Sequence, residues 1–149
     1  MELKSTLEGI EGTFWSRHSN PKSGWSRTVL LPVILYATYR RNWNVAAVAA
    51  VFTLLNPILF SPPKNEDAWM TRVVLAERWW KERGNGVIGL TYPTVLNAVN
   101  VPVTAYAVVA AYRQRPLRAA LAGVASMALK LWYVAALVRE YDAETKTAP

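Results

Sequence analysis

Cysteine is absent from this chain of 149 residues, and histidine occurs once, as His18. Without cysteine the chain cannot form a disulfide scaffold, a zinc–thiolate site or a thiol nucleophile. A lone histidine without carboxylate partners does not hold a metal, so we expect no metal site. The GxGxxG spacing from Gly84 to Gly89 follows a predicted helix, whereas a dinucleotide site needs a strand there, and we expect no cofactor.

Charge is scarce in three long stretches. Segments 44–60 and 94–112 carry no charged residue, and 117–138 carries only Arg118 and Lys130. Each approaches the ~20 residues that cross a hydrocarbon core of ~30 Å. A shorter apolar run lengthens to 21–40 if Asn20 caps a helix that has proline in its first position. A soluble four-helix bundle would show polar outer faces, which these segments lack.

We therefore predict an all-α fold in which residues 1–140 form a single membrane domain. This domain is an integral membrane bundle of four transmembrane helices with two further helices, and a disordered tail, 141–149, follows it. The four transmembrane helices are expected at about 21–40, 43–60, 93–112 and 117–138. We also predict an N-terminal amphipathic helix at about 2–15, which lies on the membrane surface or against the bundle. The evidence is the helical stripe of Leu3, Leu7, Ile10 and Phe14. A signal peptide would have a continuous apolar core instead. An interfacial helix at about 66–83 separates spans two and three, with Asn65 as its N-cap and Gly84 after its end.

The basic residues predict which side of the membrane is which. Of 17 Lys and Arg, eleven fall on the side of both termini and of segment 61–91, together with all 10 acidic residues. The other side holds Arg40, Arg41, Arg113, Arg115 and Arg118. The positive-inside rule then predicts a multi-pass protein of the cell membrane with cytoplasmic termini. The net charge of +7 needs no nucleic acid to explain it, so we expect membrane lipids and no nucleic acid as partners.

Polar side chains inside the predicted spans gather near that first side. Asn56 lies close to the end of span two, and Asn97 and Asn100 share a face of span three. Lys130 lies roughly 12 Å deep in span four, where it either lines a cavity or extends to the interface. We expect Asn97 and Ser126 to join helices by hydrogen bonds.

Glu77 is the strongest candidate for chemistry. A helical wheel places it within the apolar arc that contains Val73 and Trp80, with Arg72 on the opposite flank. The polar face of the same helix is predicted to carry Thr71, Arg78 and Glu82. A carboxylate among apolar side chains is either ion-paired or has a raised pKa, which makes it a candidate general acid or base. The alternative is a structural ion pair with an arginine of span one.

The loop before span one supplies further candidates. His18 is a secondary acid–base candidate, although a surface histidine is the commoner outcome. Ser23 and Arg27 lie one helical turn apart, where they hold an anionic head group or anchor the helix at the interface. Five of the seven tryptophans lie on this side, namely Trp15, Trp25, Trp69, Trp79 and Trp80. An aromatic belt at the membrane interface explains most of them, and an aromatic ligand pocket is the less common alternative.

Three blocks within residues 14–82 carry a resemblance. They are His18-x-Asn20-Pro21-x-Ser23-x-Trp25-x-Arg27, Asn56-Pro57-x-x-Phe60-x-Pro62-Pro63 and Arg72-x-Val74-x-x-Glu77-x-x-Trp80. Together they resemble a family of small polytopic membrane proteins of bacteria and archaea that is a domain of unknown function. The resemblance implies a membrane location and points to His18, Asn20, Arg27, Asn56, Arg72 and Glu77, but it implies no reaction.

The leading functional hypothesis is a membrane-embedded enzyme or binding protein for a lipid or isoprenoid, with a polar pocket in one leaflet. Glu77 would exchange a proton with the substrate, assisted by His18. The candidate binding residues are Arg27, Arg72, Asn20, Asn56, Asn97, Asn100, Lys130 and Trp80. One alternative is a transporter or channel subunit, with a homo-oligomer around a shared pore, and another is a structural or assembly protein without catalysis.

Overall fold

A computed structural model describes residues 2–147 of the chain, with side chains for residues 6–145. These residues form six α-helices and contain no strand, which confirms the all-α class. The helices are α1 Glu2–His18, α2 Pro21–Tyr39, α3 Trp43–Leu59, α4 Trp69–Glu82, α5 Thr94–Tyr112 and α6 Pro116–Thr147. Met1, residues 148–149 and the side chain of Leu3 lie outside this description.

The helices begin near where the sequence predicts them. Asn20 caps α2 by accepting a hydrogen bond from the backbone N–H of Lys22 at 2.9 Å, and Pro21 occupies the first helical position. Two helices, α5 and α6, are long and apolar enough to cross a membrane, whereas the apolar α3 has 17 residues. The arrangement with four spans therefore stays a prediction.

The six helices pack around α6 and α2. Helices α5 and α6 make the most extensive contact, α2 lies against α3, α5 and α6, and α4 packs on α6 while touching α1 and α2. Near the α5–α6 turn Leu35 packs among small side chains that let the helices approach closely, namely Ala107, Ala110, Ala111, Ala119 and Ala122. At the other end α4 packs on α6 through Met70, Val73, Ala76, Tyr133, Val134, Leu137 and Val138.

The two tight turns between long helices cap each other. Arg41 and Gln114 both have a positive φ, 53° and 58°, which costs a residue other than glycine roughly 1–2 kcal/mol. Arg41 donates a hydrogen bond to the carbonyl of Tyr112 at 3.3 Å, and the Gln114 amide donates to the carbonyl of Tyr39. These bonds satisfy carbonyls that a helix end leaves unpaired, so the strained turns tie α2 to α5.

Helix α4 begins later than predicted. Its N-cap is Ala68, without a side-chain hydrogen bond, so Asn65 is not the cap. The first residues of the helix, Trp69 and Met70, are also the first that pack on the core. Tertiary packing, which supplies most helix stability in proteins, thus sets the start of α4. The end is as predicted, because Gly84 follows the helix with a φ of +77°.

The polar face predicted for α4 is partly wrong. Arg78 and Glu82 are exposed and pair with each other at 2.7 Å, as expected for a solvated face. Thr71, in contrast, is fully buried, and Val74 on the same face is 2% exposed. The end of α1 lies on this side of α4, where Trp15 and Val74 line a common cavity. A wheel drawn for one helix cannot show that a second helix covers its back.

The part of the polar tail that the structure describes, 141–147, is helical instead of disordered, since α6 continues to Thr147. Tyr141 packs against Trp79, with ring centroids 5.9 Å apart. Asp142 forms an ion pair with Arg72, and Glu144 forms one with Arg83. The tail is ordered because α4 supplies cations and an aromatic surface beside it.

Helix α1 is longer than predicted, and the middle of its apolar stripe does not pack on the bundle. Leu7 is 58% exposed and Ile10 is 62% exposed. The end of α1 is buried, since His18 is 6% exposed and Phe14, half-buried, stacks on it with ring centroids 5.4 Å apart. The predicted position against the bundle is therefore wrong for Leu7 and Ile10.

Candidate functional site

A cavity of about 360 Å³ lies between α2, α4, α5 and α6, and we call it the charged cavity. Four candidate residues from different helices meet in its lining: Arg27, Glu77, Asn100 and Lys130. Thr104 and Ser126 add two hydroxyl groups, and most of the remaining lining is apolar. The packing of α4 on α6 explains the meeting, because it brings Glu77 next to Ser126 and Lys130 of α6.

Glu77 and Lys130 form an ion pair across the cavity wall. The carboxylate Oε1 lies 3.8 Å from the Lys130 ammonium, and the Glu77 side chain is 21% exposed. The ammonium also lies over the ring of Tyr133, 4.9 Å from its centroid. Glu77 is therefore ion-paired, but its partner comes from α6, whereas the structural alternative expected an arginine of span one. Lys130 in turn lines the cavity.

Arg27 is held in a fixed orientation at the opposite wall. Its Nε donates a hydrogen bond to the carbonyl of Ser23 at 3.3 Å, and its Nη1 lies 3.3 Å from Nε2 of His18. A guanidinium carries five N–H donors, so these two bonds leave further donors for a ligand. The charged cavity thus contains two cations and one carboxylate, an excess of one positive charge.

His18 is buried, so the expectation of a surface histidine is wrong. Its side chain is 6% exposed, and burial, followed by the positive charge of Arg27, lowers the pKa of the imidazole to about 4. The ring is therefore neutral near pH 7, and Nε2 accepts from Arg27 while Nδ1 carries the proton. His18 is not among the residues that line the charged cavity. We assign it the role of positioning Arg27.

The low pKa of His18 predicts acid destabilisation. The unfolded chain takes up a proton on this imidazole near pH 6.5, whereas the folded chain does so near pH 4. Between these values the unfolded state binds more protons, so the free energy of unfolding should fall as the pH decreases, by about 3 kcal/mol at most. Thermal unfolding in detergent, recorded from neutral pH to about pH 4.5, measures this loss. The His18→Gln variant should show a flatter profile, and an identical profile in both proteins would contradict the prediction.

Asn56 is used inside the protein and does not line the charged cavity. It is fully buried, its Oδ1 accepts a hydrogen bond from Ser23 at 2.6 Å, and its Nδ2 donates to Ser26 at 2.7 Å. These bonds join α3 to the first turns of α2. Because Ser23 also holds Arg27 through its carbonyl, the Asn56 network supports the wall that carries the guanidinium.

The other candidate residues lie outside the charged cavity and tie loops or the tail to helices. Asn20 donates to the carbonyl of Ser61 at 2.8 Å, Asn97 to Val87 at 2.9 Å and Trp80 to Gly86 at 3.0 Å, while Arg72 pairs with Asp142. The interhelical bond expected for Asn97 is thus wrong, because its partner is a loop carbonyl. The one expected for Ser126 is confirmed, since its hydroxyl lies 2.6 Å from that of Thr104 on α5.

Gly24 is a residue that the sequence analysis missed. It lines the charged cavity, and a Cβ at this position would lie 2.7 Å from Sδ of Met70. Glycine therefore permits the close approach of α4 to α2 on which the cavity depends. The only sequence signal is a glycine within the first turns of a helix.

Among the described side chains, no group of three His, Cys, Asp or Glu residues is placed to hold a metal ion.

Comparisons with known proteins add one finding. No curated protein and no solved structure matches the chain. A family model does match, over residues 3–149, which extends the likeness beyond the three sequence blocks to α5 and α6. The chain therefore belongs to the family of unknown function DUF6653.

Proposed function

We propose that this chain is an integral membrane protein whose helices α2, α3, α5 and α6 cross the bilayer, and whose charged cavity binds a lipid or isoprenoid by an anionic head group. The membrane part of the proposal rests on the outer surface of the helices. On α3 only Ala49 and Asn56 are buried, whereas Leu54 is 79% and Val48 70% exposed. Contiguous apolar surface of this kind needs a cover, and lipid supplies it around a helical bundle.

The end of the bundle that holds the charged cavity fits a membrane interface. Trp25, which is 53% exposed, lies beside Trp69 with ring centroids 6.1 Å apart. Amphipathic tryptophan rings favour the head-group level of a bilayer. This end also carries eleven of the Lys and Arg residues, so in the proposed arrangement it faces the cytoplasm.

The excess positive charge of the charged cavity is the observation that carries the binding proposal. Arg27 and Lys130 outnumber Glu77 in the lining, and at membrane depth a net charge is costly unless a counter-ion offsets it. A guanidinium matches the planar geometry of phosphate or carboxylate oxygens. The amide of Asn100 and the hydroxyl of Thr104 add neutral groups for hydrogen bonding. A head group with one uncompensated negative charge therefore fits the cavity.

Binding of charged and neutral lipids of equal chain length tests the head-group proposal. Palmitoyl lysophosphatidic acid should bind the protein in nanodiscs about tenfold more tightly than monopalmitoylglycerol, because only the first offers an anion. Lys130→Met should remove most of this preference, and native mass spectrometry measures it by counting the bound lipid molecules. Arg118→Met, at the distant end of α6, is the matched control and should leave the preference unchanged. Equal binding of both lipids to the unaltered protein would overturn the proposal.

Acid–base catalysis by Glu77 is the second candidate function. The observation that favours it is the carboxylate in the cavity wall, 3.8 Å from an ammonium that can exchange a proton with it or with a bound head group. A channel is less well supported. An ion path needs polar groups through the bundle, whereas the space beyond Leu31 and Met127 is lined by apolar side chains and two tyrosines.

A further inference from the structure

A second cavity, of about 440 Å³, adjoins the charged cavity along α2 and α6. It lies between the later half of α2 and the first half of α6, and we call it the apolar cleft. Leu31 and Met127 line both spaces, so the two meet at these side chains. From Arg27 to Tyr39 the shared groove follows α2 over roughly 18 Å, at ~1.5 Å per residue.

Small residues form the α6 wall of the apolar cleft. Ala119, Ala120 and Gly123 of α6 lie in its lining, together with Leu35 of α2. A Cβ at Gly123 would lie 2.7 Å from Cδ1 of Leu35, so the two helices touch at this point and the cleft lies beside the contact. An empty apolar space forfeits dispersion contacts along its whole lining. Hydrocarbon restores those contacts, and water does not, because the lining offers it few polar partners.

We infer that the apolar cleft holds the single hydrocarbon chain of the molecule whose anionic head lies between Arg27 and Lys130. This inference rests on the proposed function and adds the ligand class, a single-chain amphiphile with a phosphate or carboxylate head. The order of the lining carries it, because charged groups lie at one end and apolar groups follow beyond Leu31. The cleft has walls from two helices only and joins the charged cavity at one place, so it accepts one chain.

Photolabelling locates the chain directly. The probe is palmitoyl lysophosphatidic acid with a diazirine near the end of its chain, bound to the protein in phosphatidylcholine nanodiscs. Labelled peptides should carry the adduct at the far end of the cleft, around Tyr36, Pro116 and Ala120. Unlabelled palmitoyl lysophosphatidic acid should compete with the probe, and monopalmitoylglycerol should compete about tenfold less well.

Chain length supplies an independent measurement. Ala120→Trp fills the cleft from an exposed position and should weaken binding of the palmitoyl form about tenfold, while binding of the octanoyl form changes by less than about twofold. Val124→Trp is a second filling variant, used if the first does not fold. Ala125→Trp is the matched control, because it is exposed on the same helix and lines neither space.

The outcomes separate the chain inference from the head-group proposal. Adducts on the outer face of α3, for example at Leu54, together with intact preference for the anionic lipid, overturn the chain inference and leave the proposed function standing. An unchanged affinity for the palmitoyl form in both filling variants also overturns the inference. Labelling that monopalmitoylglycerol competes equally well overturns the head-group proposal, and the inference falls with it.

Discussion

Replacing Asn56 by leucine should lower the free energy of unfolding by about 2–3 kcal/mol, because the substitution leaves the buried Ser23 hydroxyl without its acceptor and removes the bond to Ser26. Ser23 and Asn56 are both fully buried, so water cannot replace the lost bonds. For a chain of this length the midpoint of thermal unfolding should fall by roughly 5–10 °C. A melting curve in detergent measures the shift.

Thr53→Val is the matched control on the same helix. The Thr53 hydroxyl donates to the carbonyl of Ala49 within α3, at 2.8 Å, and its loss should change the melting midpoint little. Below the melting transition, Asn56→Leu should still bind palmitoyl lysophosphatidic acid, because Arg27 keeps its own contacts with the Ser23 carbonyl and with His18 and Asn56 does not line the charged cavity. An unchanged midpoint would contradict the structural role that we assign to Asn56, and lost binding in a folded variant would return it to the binding residues.

Local patterns in the sequence predict the helices well. Uncharged runs locate α3 and α5. The pair Asn20-Pro21 predicts the first residue of α2 correctly, because an N-cap and a first-turn proline act within a few residues of the chain. The wheel for α4 also places Glu77 beside the buried residues Val73 and Met70. These features depend on spacing along one helix, which the sequence states directly.

The partners of the polar residues could not be predicted in this way. Glu77 pairs with Lys130, which lies 53 positions later in the sequence, and Arg72 pairs with Asp142. His18 is buried because α1 packs against α3 and α4, and composition alone makes a loop histidine look exposed. The helical tail was missed for the same reason, since its order depends on cations of α4. Pairing between distant helices requires the packing, which no single segment encodes.

The sequence does not predict the apolar cleft either. Its lining is mostly aliphatic residues with two tyrosines, and such residues are also common in a packed helix interface. Nothing in their spacing distinguishes a filled interface from an open one. Only the assembled helices show that a groove of about 440 Å³ stays open between α2 and α6.

Arg27→Met should weaken the binding of palmitoyl lysophosphatidic acid about tenfold, which removes the whole preference for the anionic lipid. The substitution removes the guanidinium and leaves Arg27's former partner, Nε2 of His18, without a donor. Arg27→Lys keeps the charge but cannot reproduce the two fixed hydrogen bonds, and should lose about threefold. Native mass spectrometry in nanodiscs gives the affinities, and melting curves confirm that each variant is folded.

Glu77→Gln should act in the opposite direction and tighten binding of the same lipid about tenfold, because it raises the excess charge of the cavity from one to two without changing its shape. Opposite signs for the two variants are what electrostatic recognition requires. If Arg27→Met binds the lipid normally, or if Glu77→Gln weakens binding as strongly as Arg27→Met does, charge does not govern this cavity and the proposed head-group site is wrong. Tighter binding combined with loss of a lipid conversion in cells would instead assign proton transfer to Glu77, because amide and carboxylate differ in that ability while both occupy the same volume.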